Sequence, residues 1–243
     1  MADSQGGIQA VVWDFDQTLA DTRHRNLNVT TRIVEHLTGK PGHGFPELAD
    51  VNVYFDALNR VDSWADFYME AFDMDRDTVS KAGSCWTEFQ LNDPTPVVFY
   101  EGIRKALAHF AHLPHGIVSL NSRAPIEKNL EAAGIKNHFQ SIIGHEEVPA
   151  GRQKPNPDGL LTCLERLIGM APGQVLFIGD HDMDVACATN ANQTLAENGH
   201  RLKVFSAAAA YGATKPLSLT PDYHVHSPDD LLHIAESLDS AML

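Results

Sequence analysis

Hydrophobic and polar positions divide the chain into stretches of different period. Ile8 to Trp13 form a short, nearly unbroken apolar run, the pattern of a strand buried on both faces. From about Asp21 to Pro96 the period turns helical. Leu27, Ile33, Val34 and Leu37 keep roughly helical spacing. Tyr54, Phe55, Leu58 and Val61 form a second stripe. Trp64, Phe67, Tyr68, Ala71 and Phe72 form a third, and Val79, Ala82, Trp86 and Phe89 continue the theme. Aromatic-rich stripes in succession predict a small helical bundle with its own core. Asn92-Asp93-Pro94-Thr95-Pro96 breaks the pattern and predicts a domain hinge.

Beyond the hinge, strand and helix patterns alternate. Helices are predicted over Gly102 to about Leu113, Pro125–Ala133, Pro157 to about Ile168, Asp182 to about Ala191 and Pro228–Leu238. Strands are predicted at Gly116–Leu120, Ser141–Ile143, Val175–Ile178, Leu202–Phe205 and Tyr223–Val225. Such alternation predicts an α/β fold, a doubly wound parallel sheet covered on both faces. Residues 1–20 and 98–243 would form this core, and 21–97 an inserted helical domain. Ligands in such sheets bind beyond the carboxyl ends of the strands.

Composition narrows the partners. The 243 residues carry a net charge of −14, which disfavours nucleic acid and anionic membrane surfaces. A small phosphorylated metabolite is not disfavoured, because its site needs only local cations. The polar start Met-Ala-Asp-Ser-Gln-Gly-Gly has no apolar signal core. Nothing approaches the roughly 18 apolar residues of a membrane span. Cys85, Cys163 and Cys187 are far apart and odd in number, which predicts free thiols in a cytoplasmic protein. The oligomeric state is not legible.

Four segments place chemistry-bearing side chains on the predicted binding edge. The first strand delivers Asp14 and Asp16 at its carboxyl end. On a strand these point the same way, and two carboxylates so close need a cation or a proton between them. Ser119 follows the apolar Gly-Ile-Val, with Leu120 beside it. Lys154 stands in Arg-Gln-Lys-Pro-Asn-Pro-Asp. Asp180 and Asp184 stand in Phe-Ile-Gly-Asp-His-Asp-Met-Asp.

Asp14-Phe-Asp16-x-Thr18-Leu19 resembles the first signature motif of the haloacid dehalogenase superfamily of hydrolases. The other three segments occur in that superfamily's order. The long stretch between Asp14 and Ser119 looks like the subgroup with a helical C1-type cap, which includes phosphoglycolate phosphatases. The resemblance implies a Rossmann-like core with an α-helical cap at 21–97. It also implies hydrolysis of a small phosphomonoester through an aspartyl-phosphate. Asp14 would then be the nucleophile and Asp16 the general acid and base. Ser119, Leu120 and Lys154 would hold the phosphate. Asp14, Asp180 and the carbonyl of Asp16 would hold Mg²⁺, a hard cation that prefers oxygen. Asp184 would orient Lys154 or a metal-bound water.

The chain departs from the pattern in places. Gln17 stands where the family usually has Gly. Leu120-Asn121-Ser122 leaves Ser122 as another phosphate donor. His181 and Asp182 crowd the metal loop and could tune it, with solvation as the default expectation. Arg23, His24 and Arg25 form a basic knot where the cap begins that could meet a substrate carboxylate or a second phosphate, with solvated linker charges as the default. His224, His226, His109 and His112 read as surface or packing residues, the last two on a helix face. Asp16 favours phosphate chemistry, because dehalogenases lack that second aspartate. Phosphoglycolate is the leading substrate expectation. Sugar-phosphate hydrolysis and a β-phosphoglucomutase-like reaction are alternatives, the latter weakened because Asn26 stands where those relatives carry a His. A retired relative that binds a phosphorylated ligand or a protein is the alternative from another class.

Overall fold

The computed structural model describes residues 7–61 and 63–234. The chain divides into two compact units, one holding the described residues up to Asp21 and from Phe99 onward, the other Thr22–Val98.

The first unit is built on a six-stranded sheet, all neighbours parallel. Its strands are β1 (Ile8–Trp13), β4 (His115–Val118), β5 (Phe139–Ile143), β6 (Gly173–Gly179), β7 (Leu202–Ala209) and β8 (Tyr223–Val225). Short strands β2 (Ala20–Asp21) and β3 (Val98–Phe99) lie at the two chain crossings. The sheet order is β5-β4-β1-β6-β7-β8. From β1 the chain winds first to one side and then to the other, so the strand order reverses between β1 and β6. In doubly wound sheets the ligand crevice opens at that point.

Strand period two divides the core between the two faces. Ala10 and Val12 of β1 pack with Val175 and Phe177 of β6 against Leu160, Cys163 and Leu164 of α7 (Asp158–Ile168) and Ala188 of α8 (Asp182–Glu197). Val11 and Trp13 alternate with them and are equally inaccessible, so β1 is covered on both sides. Trp13 Nε1 donates to His115 Nδ1 at 3.0 Å, tying β4 to β1. Burial pushes His115 down to about 4. Helices α5 (Ile103–His109) and α6 (Arg123–Ala132) complete the unit, with helical backbone at 230–234.

Predicted bounds shift where tertiary contacts outweigh local pattern. Helix α5 stops at His109, short of Leu113, so His112 lies beyond the helix. Phe110 O sits 3.1 Å from His115 Nε2, and Pro114 has no N–H to continue a ladder. Strand β7 runs on through Ser206-Ala-Ala-Ala209, paired with β6 and β8. Helix α8 runs to Glu197, burying Leu195. Of the helix predicted at Pro228–Leu238, the part beyond 234 lies outside the described residues.

The second unit contains helices α1 (Arg23–Thr38), α2 (Val51–Leu58), α3 (Trp64–Phe72) and α4 (Arg76–Leu91). The predicted stripes form its core: Val29, Ile33, Val34, Tyr54, Phe55, Phe67, Tyr68, Phe72 and Val79 are buried together. Asp50, Ser63 and Asp75 cap the starts of α2, α3 and α4 by accepting from backbone N–H groups. Arg25 is not a solvated linker charge as expected. It is buried and donates from Nε to Thr95 O at 2.9 Å. Arg32 reaches Asp93 at 3.4 Å. The Asn92–Pro96 segment is therefore stitched to α1.

Candidate active site

Four chain segments bring the predicted residues to the carboxyl edge of the sheet. Asp14 follows β1, and its N–H donates to Ile178 O of β6 at 2.7 Å. Ser119 follows β4, and its N–H donates to Ile143 O at 3.0 Å. Asp180 follows β6, Asp184 lies in the first turn of α8, and Lys154 precedes α7. Three parallel strands ending at one level force these residues together, whatever their distance in sequence.

Lys154 is the electrostatic centre. Its Nζ lies 2.9 Å from Asp14 Oδ1 and 2.6 Å from Asp184 Oδ1, with the three side chains nearly inaccessible. The Phe177 ring lies below it, 5.9 Å away. Burial alone would lower Lys154, but Asp14 and Asp184 reverse this and hold it above the ordinary lysine range. Burial raises Asp14 to about 6, against the pull of Lys154. Asp180 is also raised, by burial and then by Asp14 and Asp184.

Carboxylate oxygens of Asp14, Asp180 and Asp184 lie within 4.8 Å of one another. Three carboxylates around one ammonium leave negative charge uncompensated in a poorly hydrated place. This all-oxygen donor set fits a hard divalent cation. Within it, Asp184 is already engaged: Oδ1 accepts from Lys154 and Oδ2 from the His181 N–H at 3.1 Å. Asp14 and Asp180 are the residues better disposed to hold an ion.

Asp16 sits apart from that cluster, half-buried, on a tight turn. Asn121 Nδ2 lies 3.1 Å from Asp16 Oδ2. The turn needs a left-handed residue, and Gln17 supplies it with φ 56°, a conformation glycine adopts without steric cost. The expected difference at this position is thus a side chain held where the family usually has none. Ser119 is buried and its Oγ accepts from the Asn121 N–H at 3.1 Å. Leu120 is exposed, and its N–H makes no hydrogen bond among the described residues. Ser122 instead immediately precedes α6, at its N-cap position, and its Oγ lies 3.4 Å from His145 Nδ1.

Several site contacts escaped the sequence reading. Asn121 joins the Ser119 loop to Asp16. Thr18 Oγ1 donates to Asp180 Oδ1 at 3.3 Å. Asp182 is not simply solvated: its carboxylate accepts from Ser218 N and Oγ and from Leu219 N, at 2.8–3.1 Å. His181 caps α8, its Nδ1 accepting from Met183 N. His224 and His226 stack on each other on the surface, 6.4 Å apart. For Asn121 a signal existed, since it lies in the loop that carries Ser119.

The profile of the haloacid dehalogenase-like hydrolases matches residues 11–197. A chain matched over so much of its length belongs to that family. Phosphoglycolate phosphatase of Escherichia coli K12 is 40% identical over 76 residues, covering 31% of this chain and 29% of that protein. The pyrophosphatase PpaX of Bacillus velezensis is 29% identical over 119 residues, covering 49% of this chain and 50% of that one. The matches therefore span at most about half of these relatives. A solved subfamily IA hydrolase of the same superfamily, from Geobacter sulfurreducens, superposes with a TM-score of 0.64. It is 22% identical, with 96% of this chain and all of that chain covered. Among the described residues no helix is long and apolar enough to cross a membrane.

Proposed function

We propose that this hydrolase is a Mg²⁺-dependent, cytoplasmic phosphatase acting on a small phosphomonoester, with phosphoglycolate as the leading substrate. Residues 22–98 serve as its cap. The observation that carries the reading is the buried Asp14 carboxylate, 2.9 Å from Lys154 Nζ, with Asp180 beside it and Asp16 two residues on.

The ester phosphate is received by Lys154, the Ser119 hydroxyl and the Leu120 N–H. Asp14, Asp180 and the Asp16 carbonyl would hold Mg²⁺, which would supply positive charge against the phosphate oxygens. An Asp14 oxygen attacks phosphorus, the P–O bond to the alcohol breaks, and Asp16 gives its proton to the departing oxygen. Water then loses a proton to Asp16 and attacks the same phosphorus, releasing inorganic phosphate and the Asp14 carboxylate. Asp184 keeps Lys154 on the phosphate side of Asp14.

Asp14→Asn tests the reading. An amide is a poor nucleophile and a poor ligand for a hard cation. Turnover of an aryl phosphate and of phosphoglycolate should fall by roughly 10³-fold or more, with an unchanged circular dichroism spectrum. Near-normal turnover in this variant would overturn the mechanism.

A further inference from the structure

A cavity of about 670 Å³ shares Asp180 with the acidic cluster. Its other walls come mainly from the loop between β7 and β8, including Lys215, Ser218 and Thr220, with His224 of β8. The loop is fastened at both ends to the turns that carry the chemistry. Tyr211 Oη donates to Thr18 O at 2.8 Å. Gly212 lies so close to the Gln17 carbonyl that a Cβ there would stand 1.6 Å from its oxygen. At the far end, Asp182 holds Ser218 and Leu219. A loop tied to the turn after Asp16 and to the helix after Asp180 presents a preorganised wall.

Lys215 is the unexplained group in that wall. It is half-buried, and among the described residues it forms no ion pair. The chain carries a net charge of −14, so carboxylate partners are not scarce. A cation left without one beside an acidic site is suited to an anion that arrives from outside. The Thr220 hydroxyl on the same wall can donate to such an anion, whereas that of Ser218 is already given to Asp182. The volume falls within the ordinary range for small-molecule sites, about 300–1,000 Å³.

We propose that this cavity is a subsite for a second anionic group, a carboxylate or a phosphate, on the molecule whose ester phosphate sits at Asp14, with Lys215 as its charge partner. The proposal rests on the phosphatase reading for the position of the ester phosphate. It places a specificity-determining residue in the core unit itself.

Three probes separate the sources of the anion: ethyl phosphate has no second charge, phosphoglycolate carries a carboxylate, and propane-1,3-diol bisphosphate carries a second phosphate. Equilibrium binding is measured by calorimetry in Mg²⁺, and kcat/KM is measured alongside. The wild-type protein should prefer at least one doubly anionic probe over ethyl phosphate. In Lys215→Gln the ratio of that probe to ethyl phosphate should fall roughly tenfold or more, in both binding and kcat/KM. Lys215→Arg should keep most of the preference. Asp182→Asn, which loosens the loop, should lower it partly. Absence of a preference in the wild type, or a ratio unmoved by Lys215→Gln, overturns the subsite. Turnover with an unmoved ratio leaves the phosphatase reading standing alone. A Lys215-dependent binding preference without turnover supports the anion subsite while the phosphatase reading fails.

Discussion

Asp16 and Asn121 carry the most testable single contact in the site. A positioned acid is worth about 10²–10⁴-fold, and more as the leaving group becomes more basic. Asp16→Asn should therefore cripple hydrolysis of alkyl phosphates and harm an activated aryl phosphate less in the first step. Its dephosphorylation step also lacks a base, so phospho-Asp14 should accumulate and be visible as added mass after rapid quench. Equal losses on both esters, with no adduct, would mean that Asp16 is structural. Asn121 acts one contact further out. Removing a hydrogen bond to a charged group costs about 1.5–3 kcal/mol, so Asn121→Ala should lose roughly 10–100-fold in kcat on alkyl esters. Its loss on an aryl ester should be smaller, and KM should change little. A uniform loss on both esters would assign Asn121 to phosphate binding instead.

Strand ends and the turns after them set the positions of these residues. Gly179 closes β6, and a Cβ there would lie 2.2 Å from Asp184 Cγ. Gly179→Ala should push Asp184 away and deprive Lys154 of its 2.6 Å partner. A drop in turnover larger than the drop in thermal stability is expected, read from kcat and Tm on one preparation. The β1–β4 junction yields a pH prediction. The buried His115 is held neutral, titrating at about 4 instead of 6.5. The unfolded chain binds the proton first, so this contribution is intact above pH 6.5 and is lost as pH falls toward 4. Wild-type Tm should decline over that window more steeply than Tm of His115→Gln. Parallel declines would show that another group controls the acid limb.

A cation at the proposed site would compete with protons for the same buried charge, and the competition should be readable in the stability of the entire fold. Asp14 is raised to about 6 by burial. A raised carboxylate contributes stability below its unfolded value near 3.9, and loses that contribution as pH rises through 6. A cation at the site should offset the loss, since anything that binds only the folded state stabilises it. The Tm gained on replacing chelator by Mg²⁺ should therefore be larger at pH 7.5 than at pH 5. Chelation should also stop turnover, and Ca²⁺ should not restore it, because its larger coordination sphere lets a carboxylate bind through both oxygens. An equal Tm gain at both pH values would separate the cation site from Asp14.

The α/β class, the strands that end at Asp14, Ser119 and Asp180, and the helical stripes of 22–98 were legible because each follows from a local period. The convergence of Asp14, Ser119 and Asp180 on one sheet edge was legible because the motifs that carry them are short and sit at strand ends, whereas Lys154 arrives from the loop before α7 and Asp184 from the first turn of α8. What the linear pattern could not hold is anything set by residues distant along the chain. The end of α5 depends on His115, five residues past Phe110. The length of β7 through three alanines depends on pairing with β6 and β8, since alanine has little strand preference of its own. Asn121 meets Asp16, and Asp182 grips Ser218 and Leu219, only after a parallel sheet has brought separate turns to one edge. Hydrogen bonds and ion pairs are decided at about 3 Å. A sequence period locates a strand end, but only tertiary packing brings two such ends within that distance.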